Sequence, residues 1–250
     1  MSLALALFAA ALPGAADERL VTSLSEDVVS VTSSFTGAEI VLFGTVEPVS
    51  DVLRADAAYD VVVEISGPPE DVVARRQERF LGIWLNRRAE TFEGVPSFQA
   101  VLSTRPLDAI APPEVLAELG LGLESIVAAA RRGEPGPERE AFEAGFLHVM
   151  ETSDHYAVYD EGVTFLSRSL FRADVPLPAT VPIGDYSVEV TLFRNGAPAA
   201  QGTSSLHVGK FGFEQLVTEA AHDRGFLYGL ATVALALFTG WLAGVIFRRE

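Results

Sequence analysis

Short apolar runs rich in β-branched residues dominate residues 20–104 of the chain. Glycine, proline and aspartate separate these runs, and most runs are apolar almost throughout rather than alternating with polar residues. This pattern predicts strands in a sandwich core or beneath a covering layer. The predicted strands cover residues 28–32, 39–46, 59–66, 79–85 and 98–103.

The spacing of apolar residues changes to a helical period between residues 107 and 152. Residues 112–132 and 138–151 each collect their apolar side chains on one side of a helix, and Gly133-Glu134-Pro135-Gly136-Pro137 separates the two segments. We therefore expect an α-helical hairpin, at about 107–152, inserted into a β domain.

Strand signals return after His155 and lead into a long hairpin. Residues 170–175, 184–193 and 202–208 have strand-like patterns, and Asn195-Gly196 lies between the last two. Both residues of that pair tolerate positive φ, which a type I′ turn requires. A β-hairpin is therefore predicted here.

Tyr186 follows a proline-rich approach and lies where a tyrosine corner of an immunoglobulin-like sandwich would stand. The last strands are too few for a second sandwich, so we expect them to complete the sheets begun before the helical insert. The predicted fold is mainly β: an immunoglobulin-like β-sandwich over residues 17–211, carrying the α-helical hairpin as an insertion.

The final 25 residues predict one transmembrane helix. Residues 226–247 contain no charge, and at 1.5 Å per residue they extend about 33 Å, enough to cross a hydrocarbon core of roughly 30 Å. Arg248 and Arg249 follow directly and predict a cytoplasmic C-terminus. The expected segments are a juxtamembrane helix at 212–224, a transmembrane helix at 225–247 and a cytoplasmic tail at 248–250.

Small residues recur along one face of this predicted helix. Gly225 and Gly229, and likewise Gly240 and Gly244, have the spacing that lets a second helix approach closely. The alternative is that glycine and alanine collect here by chance in an alanine-rich chain. We favour packing of this face against a multispan membrane protein or a second copy of the chain.

The opposite terminus predicts export. Residues 3–12 are an apolar run that is too short to span a bilayer, and small residues follow up to Ala16. This arrangement is typical of a secretory signal at 1–16 with cleavage after Ala16. The alternative is an uncleaved N-terminal anchor, because no Lys or Arg precedes the run. With a signal, the β domain faces the periplasm of a single-pass inner-membrane protein.

Charge and composition exclude several classes of function. The chain has 18 basic and 34 acidic residues and a formal net charge of −16. Such a negative field disfavours binding to nucleic acid and to anionic lipid surfaces. The chain has no cysteine, so disulfides and thiolate metal sites are excluded.

Five arginines interrupt this acidic background between residues 75 and 88, around an apolar run at 80–85. They are Arg75, Arg76, Arg79, Arg87 and Arg88. Guanidinium groups suit bidentate contacts with carboxylate, sulfate or phosphate, which makes this region a candidate site for an anion or a partner. The alternative is that the arginines neutralise acidic neighbours or protect a strand edge from aggregation.

No catalytic constellation emerges from the sequence. Ser153-Asp154-His155 cannot form a triad because adjacent residues do not reach that geometry, and the common hydrolase, P-loop and dinucleotide motifs are absent. His148, Glu151 and His155 could share a helical face and bind zinc or copper, but a polar surface predicts the same residues. We therefore predict no enzyme activity, no cofactor and no metal; a metal-dependent hydrolase is the least favoured alternative.

Several segments along the chain carry a family resemblance. They are FG at 43–44, ISGP at 65–68, GIWLN at 82–86, VPSF at 95–98, LFRA at 170–173, LPA at 177–179, VPIGDY at 181–186, KFGFEQ at 210–215, LYGL at 227–230 and GWLA at 240–243. On these segments the chain resembles an uncharacterised family of alphaproteobacterial transmembrane proteins, over nearly its whole length. The resemblance implies a secreted N-terminus, a periplasmic domain and one C-terminal span, but no catalytic residue.

The resemblance also implies a transport-linked role, because such genes often lie beside a permease similar to sulfite and organosulfonate exporters. We therefore predict a non-enzymatic accessory or interaction subunit of a membrane complex. The alternative is a periplasmic anion-binding module that uses the arginines between 75 and 88.

Overall fold

The computed structural model describes most of the chain between its two ends. The described residues are 18–32, 35–48, 58–80, 82–130, 136–209 and 225–246. The predicted signal peptide at 1–16, the juxtamembrane helix at 212–224 and the cytoplasmic tail at 248–250 lie outside these residues. Within them the fold is mainly β, as the sequence predicts.

Twelve strands and five helices make up the described part of the chain. The strands are β1 Glu18–Leu24, β2 Val28–Ser30, β3 Ala38–Pro48, β4 Tyr59–Ser66, β5 Pro69–Phe80, β6 Ile83–Pro96, β7 Gln99–Ser103, β8 Tyr156–Tyr159, β9 Val163–Phe165, β10 Leu170–Leu177, β11 Gly184–Arg194 and β12 Ala197–Gly209. The helices are α1 Leu107–Ile110, α2 Pro113–Leu119, α3 Leu123–Ala129, α4 Pro137–Thr152 and α5 Gly225–Ile246.

The described strands form three sheets. A four-stranded sheet has the order β1-β3-β10-β9, a six-stranded sheet has the order β2-β12-β11-β4-β7-β8, and β5 pairs with β6 alone. The two edge pairs of the six-stranded sheet, β2–β12 and β7–β8, are parallel, whereas the other pairs are antiparallel. These pairings do not establish the predicted immunoglobulin-like topology.

Apolar side chains of the four-stranded and six-stranded sheets share one core. Leu42 on β3 and Phe171 on β10 belong to it, together with Val61, Val63 and Ile65 on β4. Successive side chains of a strand point to opposite faces, so the odd-numbered residues of β4 face this core. The two sheets therefore pack against each other through their inner faces.

A second core covers the other face of β4. Val62 lies in it with Phe92 of β6, Phe193 of β11 and apolar residues of the helices between β7 and β8. The rings of Phe92 and Phe146 stack with centroids 4.6 Å apart, and Tyr156 meets Phe146 edge-on at 5.8 Å. Strand β4 is thus buried on both faces, which explains its nearly continuous apolar sequence.

The helical insert differs in one respect from the predicted hairpin. Helix α4 matches the second predicted helix, but residues 112–132 do not form one continuous helix. Gly120 and Gly122 have φ values of 71° and 90°, which end α2 and set the start of α3. Glycine adopts this left-handed backbone without steric cost, so the chain turns where the apolar spacing alone predicts continuation.

The strand predicted at residues 79–85 is wrong, because the chain reverses there. Gly82, with φ 85°, lies in the turn that joins β5 to β6. The apolar run on both sides of Gly82 resembles a single strand, although it contains the end of one strand and the start of the next. The result is a long two-stranded hairpin.

The turn predicted at Asn195-Gly196 is confirmed. The two residues have φ values of 52° and 82° and join β11 to β12. The Tyr186 hydroxyl donates a hydrogen bond of 2.7 Å to the Pro182 carbonyl, the local geometry of a tyrosine corner. Strands β1, β8 and β9, and the parts of β5 and β6 outside residues 79–85, were not predicted from the sequence.

Helix α5 occupies the position of the predicted transmembrane helix. Across the described parts of the chain, no helix satisfies both the length and the hydropathy requirement for a membrane span. The transmembrane assignment of residues 225–247 therefore stays a prediction.

Candidate functional site

The five arginines singled out from the sequence lie on the hairpin β5–β6. Arg76 and Arg88 are direct cross-strand partners, and Arg88 forms an ion pair with Glu138 at the start of α4. Arg75 and Arg79 are exposed on β5. Part of the arginine charge is therefore used within the domain, as the alternative interpretation of these residues requires.

The structure does not bring these arginines onto one face of the hairpin. Because side chains alternate along a strand, Arg75 and Arg79 lie on the face opposite to Arg76. Arg87 occupies the extra position of a bulge on β6, where the register between β5 and β6 shifts. Alternation therefore does not gather Arg75, Arg76 and Arg79 on one face, and the binding role of this region stays a prediction.

An apolar groove of about 590 Å³ runs between β5 and α4. Val72, Ala74, Phe142 and Phe146 line it, and Arg75 and Arg76 lie along its β5 side. Val149 also lines the groove and is 62% exposed. The sequence pattern did not predict this groove, since it forms only when the hairpin packs against α4.

A partly buried ionic group connects the β5–β6 hairpin to α4. The Arg139 guanidinium on α4 donates to Glu90 of β6 at 2.7 Å and to Glu143, one helical turn along α4, at 3.3 Å. The Arg139 side chain is only 12% exposed. Removing one partner from such a group leaves uncompensated charge, so the contact fixes how α4 lies on the hairpin.

The glycines proposed for helix packing lie on α5, which begins at Gly225. A Cβ atom added at Gly229, Gly240 or Gly244 would meet nothing within 4 Å. At 3.6 residues per turn, the four glycines fall within an arc of about 100°. Their role in packing against another helix stays a prediction.

His148, Glu151 and His155 do not share the helical face on which the metal-site alternative depends. Helix α4 ends at Thr152, so His155 does not continue the helical face of His148 and Glu151. The His155 Nδ1 atom instead lies 2.9 Å from the Ser153 carbonyl oxygen. Within the residues that the structure describes, no three His, Asp or Glu side chains are grouped to hold a metal ion.

A cavity of about 440 Å³ with both acidic and apolar walls lies on the outer face of the six-stranded sheet. Glu64 of β4, Gln99 of β7 and Glu189 of β11 line it from the sheet, while α3 and the base of the β5–β6 hairpin enclose its sides. Glu64 is 7% exposed and Gln99 is 4% exposed. Glu189 and Glu64 are direct cross-strand partners in the register of β11 and β4.

The Glu64 carboxyl group is desolvated but has no cationic partner among the described residues of this cavity. Burial is the main cause that raises the pKa of Glu64 to about 7, and the neighbouring Glu189 raises it further. The Gly122 N–H, which donates to Glu64 Oε1 at 3.0 Å, and a hydrogen bond from Gln99 oppose this rise. A buried acid that titrates near neutral pH is a common feature of functional sites.

Sequence reasoning missed this cavity because its residues are far apart in the chain. Glu64 lies in the run YDVVVEIS. It shares one face of the strand with Val62, but the valines of the other face make the whole run look apolar. The usable signal was that two acids, Asp60 and Glu64, lie on the same face of a strand that is otherwise mostly apolar.

The comparison with family profiles gives one match that covers residues 19–249. The family is described as "Putative transmembrane protein (Alph_Pro_TM)". No curated protein matches the chain at a significant level. The match carries no information on neighbouring genes, so the link to a permease stays a prediction. Because the match extends over nearly the whole chain, the protein belongs to the Alph_Pro_TM family of transmembrane proteins.

Proposed function

We propose that the protein is a membrane-anchored, non-enzymatic accessory subunit of a membrane complex, in which α5 is the single span. The observation that carries this proposal is the glycine face of α5, where no described atom fills the space beside Gly229, Gly240 and Gly244. The description of the family as transmembrane supports the membrane location.

Helix packing in lipid explains why this face matters. Lipid tails are as apolar as leucine, so helices associate through close packing rather than through the hydrophobic effect. A glycine face lets a second backbone approach closely and gain dispersion contacts. Large apolar side chains on α5, such as Leu235 and Leu237, are well exposed and suit contact with lipid.

The proposed orientation places the β domain in the periplasm and the C-terminus in the cytoplasm of a bacterial inner membrane. It is supported by Arg248 and Arg249 directly after the uncharged segment. Binding is favoured over catalysis because the sequence has no recognisable catalytic motif, whereas α5 offers a surface for a helix. The partner is a multispan protein, with a second copy of the chain as the alternative occupant.

The experiment replaces single residues on α5 and isolates the complex from native membranes. Gly229→Leu and Gly240→Leu fill the proposed contact face, whereas Ala234→Leu adds the same side chain about 140° around the helix from Gly229. Tagged full-length proteins are solubilised gently, cross-linked and analysed by mass spectrometry. We expect the wild type and A234L to retain the same membrane partner, and G229L and G240L to lose at least 80% of it.

Two results would contradict the proposal. The first is a wild-type protein that is monomeric without a co-purifying membrane protein. The second is equal recovery of the partner with G229L, G240L and A234L. The mass of the cross-linked product separates a second copy of this chain from a different, multispan protein.

A further inference from the structure

We propose that the cavity around Glu64 binds a small organic ammonium ion. The cavity opens where three parts of the fold meet: the outer face of the six-stranded sheet, the base of the β5–β6 hairpin, and helices α2 and α3. Its volume of about 440 Å³ is within the range of sites for small molecules. This site is independent of the glycine face of α5.

The charge of the residues that line the cavity determines whether a ligand must be positively or negatively charged. Glu64, Glu93 and Glu189 line the cavity, and its described lining includes no Lys, Arg or His. Two of these carboxyl groups, Glu64 and Glu189, are directly opposite each other on adjacent strands. Like charges on direct cross-strand partners destabilise a sheet, and a cation between them would reverse that effect.

The hydroxyl donors of the cavity are used within the protein, whereas carboxylate oxygens line it. Ser66 Oγ donates to Gln99 Oε1 at 2.6 Å, and Ser125 Oγ lies at 2.6 Å from the carbonyl oxygens of Gly120 and Gly122. The hydroxyl protons are therefore already engaged within the protein. The Glu64 carboxyl already receives the Gly122 N–H on Oε1 and a hydrogen bond from the Gln99 side chain, and a ligand would add further N–H donors to it. Carboxylate oxygens in such a position suit a ligand with several N–H donors.

Glu64 is a nine-tenths buried acid at the floor of the cavity with no counter-cation on its described walls. Keeping a buried carboxylate without an opposite charge is unfavourable, and this cost is seen in the raised pKa of Glu64. A bound ammonium would supply the missing charge and stabilise the ionised form.

An organic ammonium fits the walls better than a bare metal ion. Val95, Leu119 and Ile126 give the cavity apolar sides next to its acidic floor. A short alkyl chain would contact these side chains while its ammonium group reaches Glu64. A metal ion would need several ligands at coordination distance, and no group of three is formed within the described part of the chain.

The test uses full-length protein in detergent, with n-butylammonium as probe and n-butanol as its uncharged counterpart. Binding is followed by calorimetry and by NMR of the side-chain carboxyl carbons. We expect saturable millimolar binding of n-butylammonium but none of n-butanol. Affinity should rise about tenfold from pH 6 to pH 8, because the ionised fraction of an acid with a pKa of about 7 increases by that factor.

Variants locate the probe. Glu64→Gln should abolish binding, and the exposed Glu47→Gln on the other sheet should leave it unchanged. Ala129→Trp, at an exposed position on the cavity wall, should block binding without altering Glu64 itself. Circular dichroism of each variant establishes that the fold is retained.

Three outcomes would overturn the inference: no binding at tens of millimolar probe, equal binding by E64Q, or a Glu64 carboxyl that titrates below pH 5 in the free protein. The last would show that the free carboxylate is already stabilised and lacks the missing charge that a ligand would supply. G229L should bind the probe like the wild type, so failure of this inference is distinguishable from failure of the proposed membrane contact.

Discussion

The ring of Phe171 on β10 lies over Gly44 on β3, its direct cross-strand partner. A Cβ atom at position 44 would stand 2.6 Å from Cε1 and 2.7 Å from Cε2 of this ring. Phe171 is fully buried and meets Phe165 edge-on, with ring centroids 5.8 Å apart. Gly44 is therefore required by the packing of the main core and not by its backbone conformation.

We expect Gly44→Ala to lower the free energy of unfolding by about 3 kcal/mol, because a buried ring inside a dense core has little room to move. Chemical denaturation followed by circular dichroism measures this loss. As a matched control, Gly145→Ala lies in helix α4, where an added Cβ meets nothing within 4 Å. This control should raise stability by up to about 1 kcal/mol through helix propensity.

A double-mutant cycle isolates the contact between residues 44 and 171. Phe171→Ala alone should cost about 4 kcal/mol by leaving a cavity. In the F171A background the added methyl group of G44A no longer meets a ring, so its further cost should fall below about 1 kcal/mol. Additive losses in the double variant would show that the overlap with Phe171 is not the cause.

Arg139 provides a second prediction, on the attachment of α4 to the hairpin. Arg139→Met keeps most of the side-chain volume but leaves Glu90 and the buried Glu143 without the guanidinium that contacts both. We expect a loss of about 3 kcal/mol in the free energy of unfolding, since removing one member of a buried ionic group exposes the others to uncompensated charge. Denaturant titration at neutral pH measures it.

The same substitution at an exposed ion pair serves as the control for R139M. Arg172 and Asp174 pair at 2.6 Å, but their side chains are 41% and 46% exposed. Arg172→Met should therefore change stability by less than about 0.5 kcal/mol. Similar losses for R139M and R172M would mean that burial does not govern the Arg139 group.

The third prediction concerns pH and Glu64 in the absence of any ligand. Its pKa is about 7 in the folded protein and 4.5 as an isolated side chain, so between these values the folded state binds more protons than the unfolded state. The free energy of unfolding should consequently fall as pH rises from about 4.5 to 7 and then level off. The loss from this group is about 3 kcal/mol.

Glu64→Gln removes this titration. The stability of E64Q relative to the wild type should therefore increase by about 3 kcal/mol between pH 4.5 and pH 8, measured by denaturation across that range. Other titrating groups are common to both proteins and cancel in the difference. Glu189→Gln, which removes only a secondary cause of the pKa shift, should give a smaller change of the same sign. A pH-independent difference between E64Q and the wild type contradicts the assignment.

Local chemistry explains the features that the sequence predicted well. Asn195-Gly196 determines its turn through two adjacent residues that accept positive φ, so no distant contact is needed. Strand β4 was predicted with its observed bounds because its run is mostly apolar and ends at Ser66, directly before Gly67. In these places the signal and the structure depend on the same few residues.

Features that depend on distant contacts were missed. The chain reversal at Gly82 was hidden because the apolar residues beside it resemble one continuous strand. Glu64 gains its raised pKa from burial beneath helices that follow β7 in sequence, and from Glu189, which lies 125 positions further along the chain. Neither the cavity nor the groove beside α4 can be inferred from spacing, since each forms between elements that meet only in the folded protein.

Strand β4 is a wall common to both cores: Val61 and Val63 face one, and Val62 faces the other. Loss of either core would expose one face of β4 and disturb the strand on which the other core packs. The helical insert and the paired sheets should therefore unfold in one cooperative transition, with the β4 amides exchanging with solvent only when the whole domain opens. An insertion in sequence thus becomes an inseparable part of one thermodynamic unit.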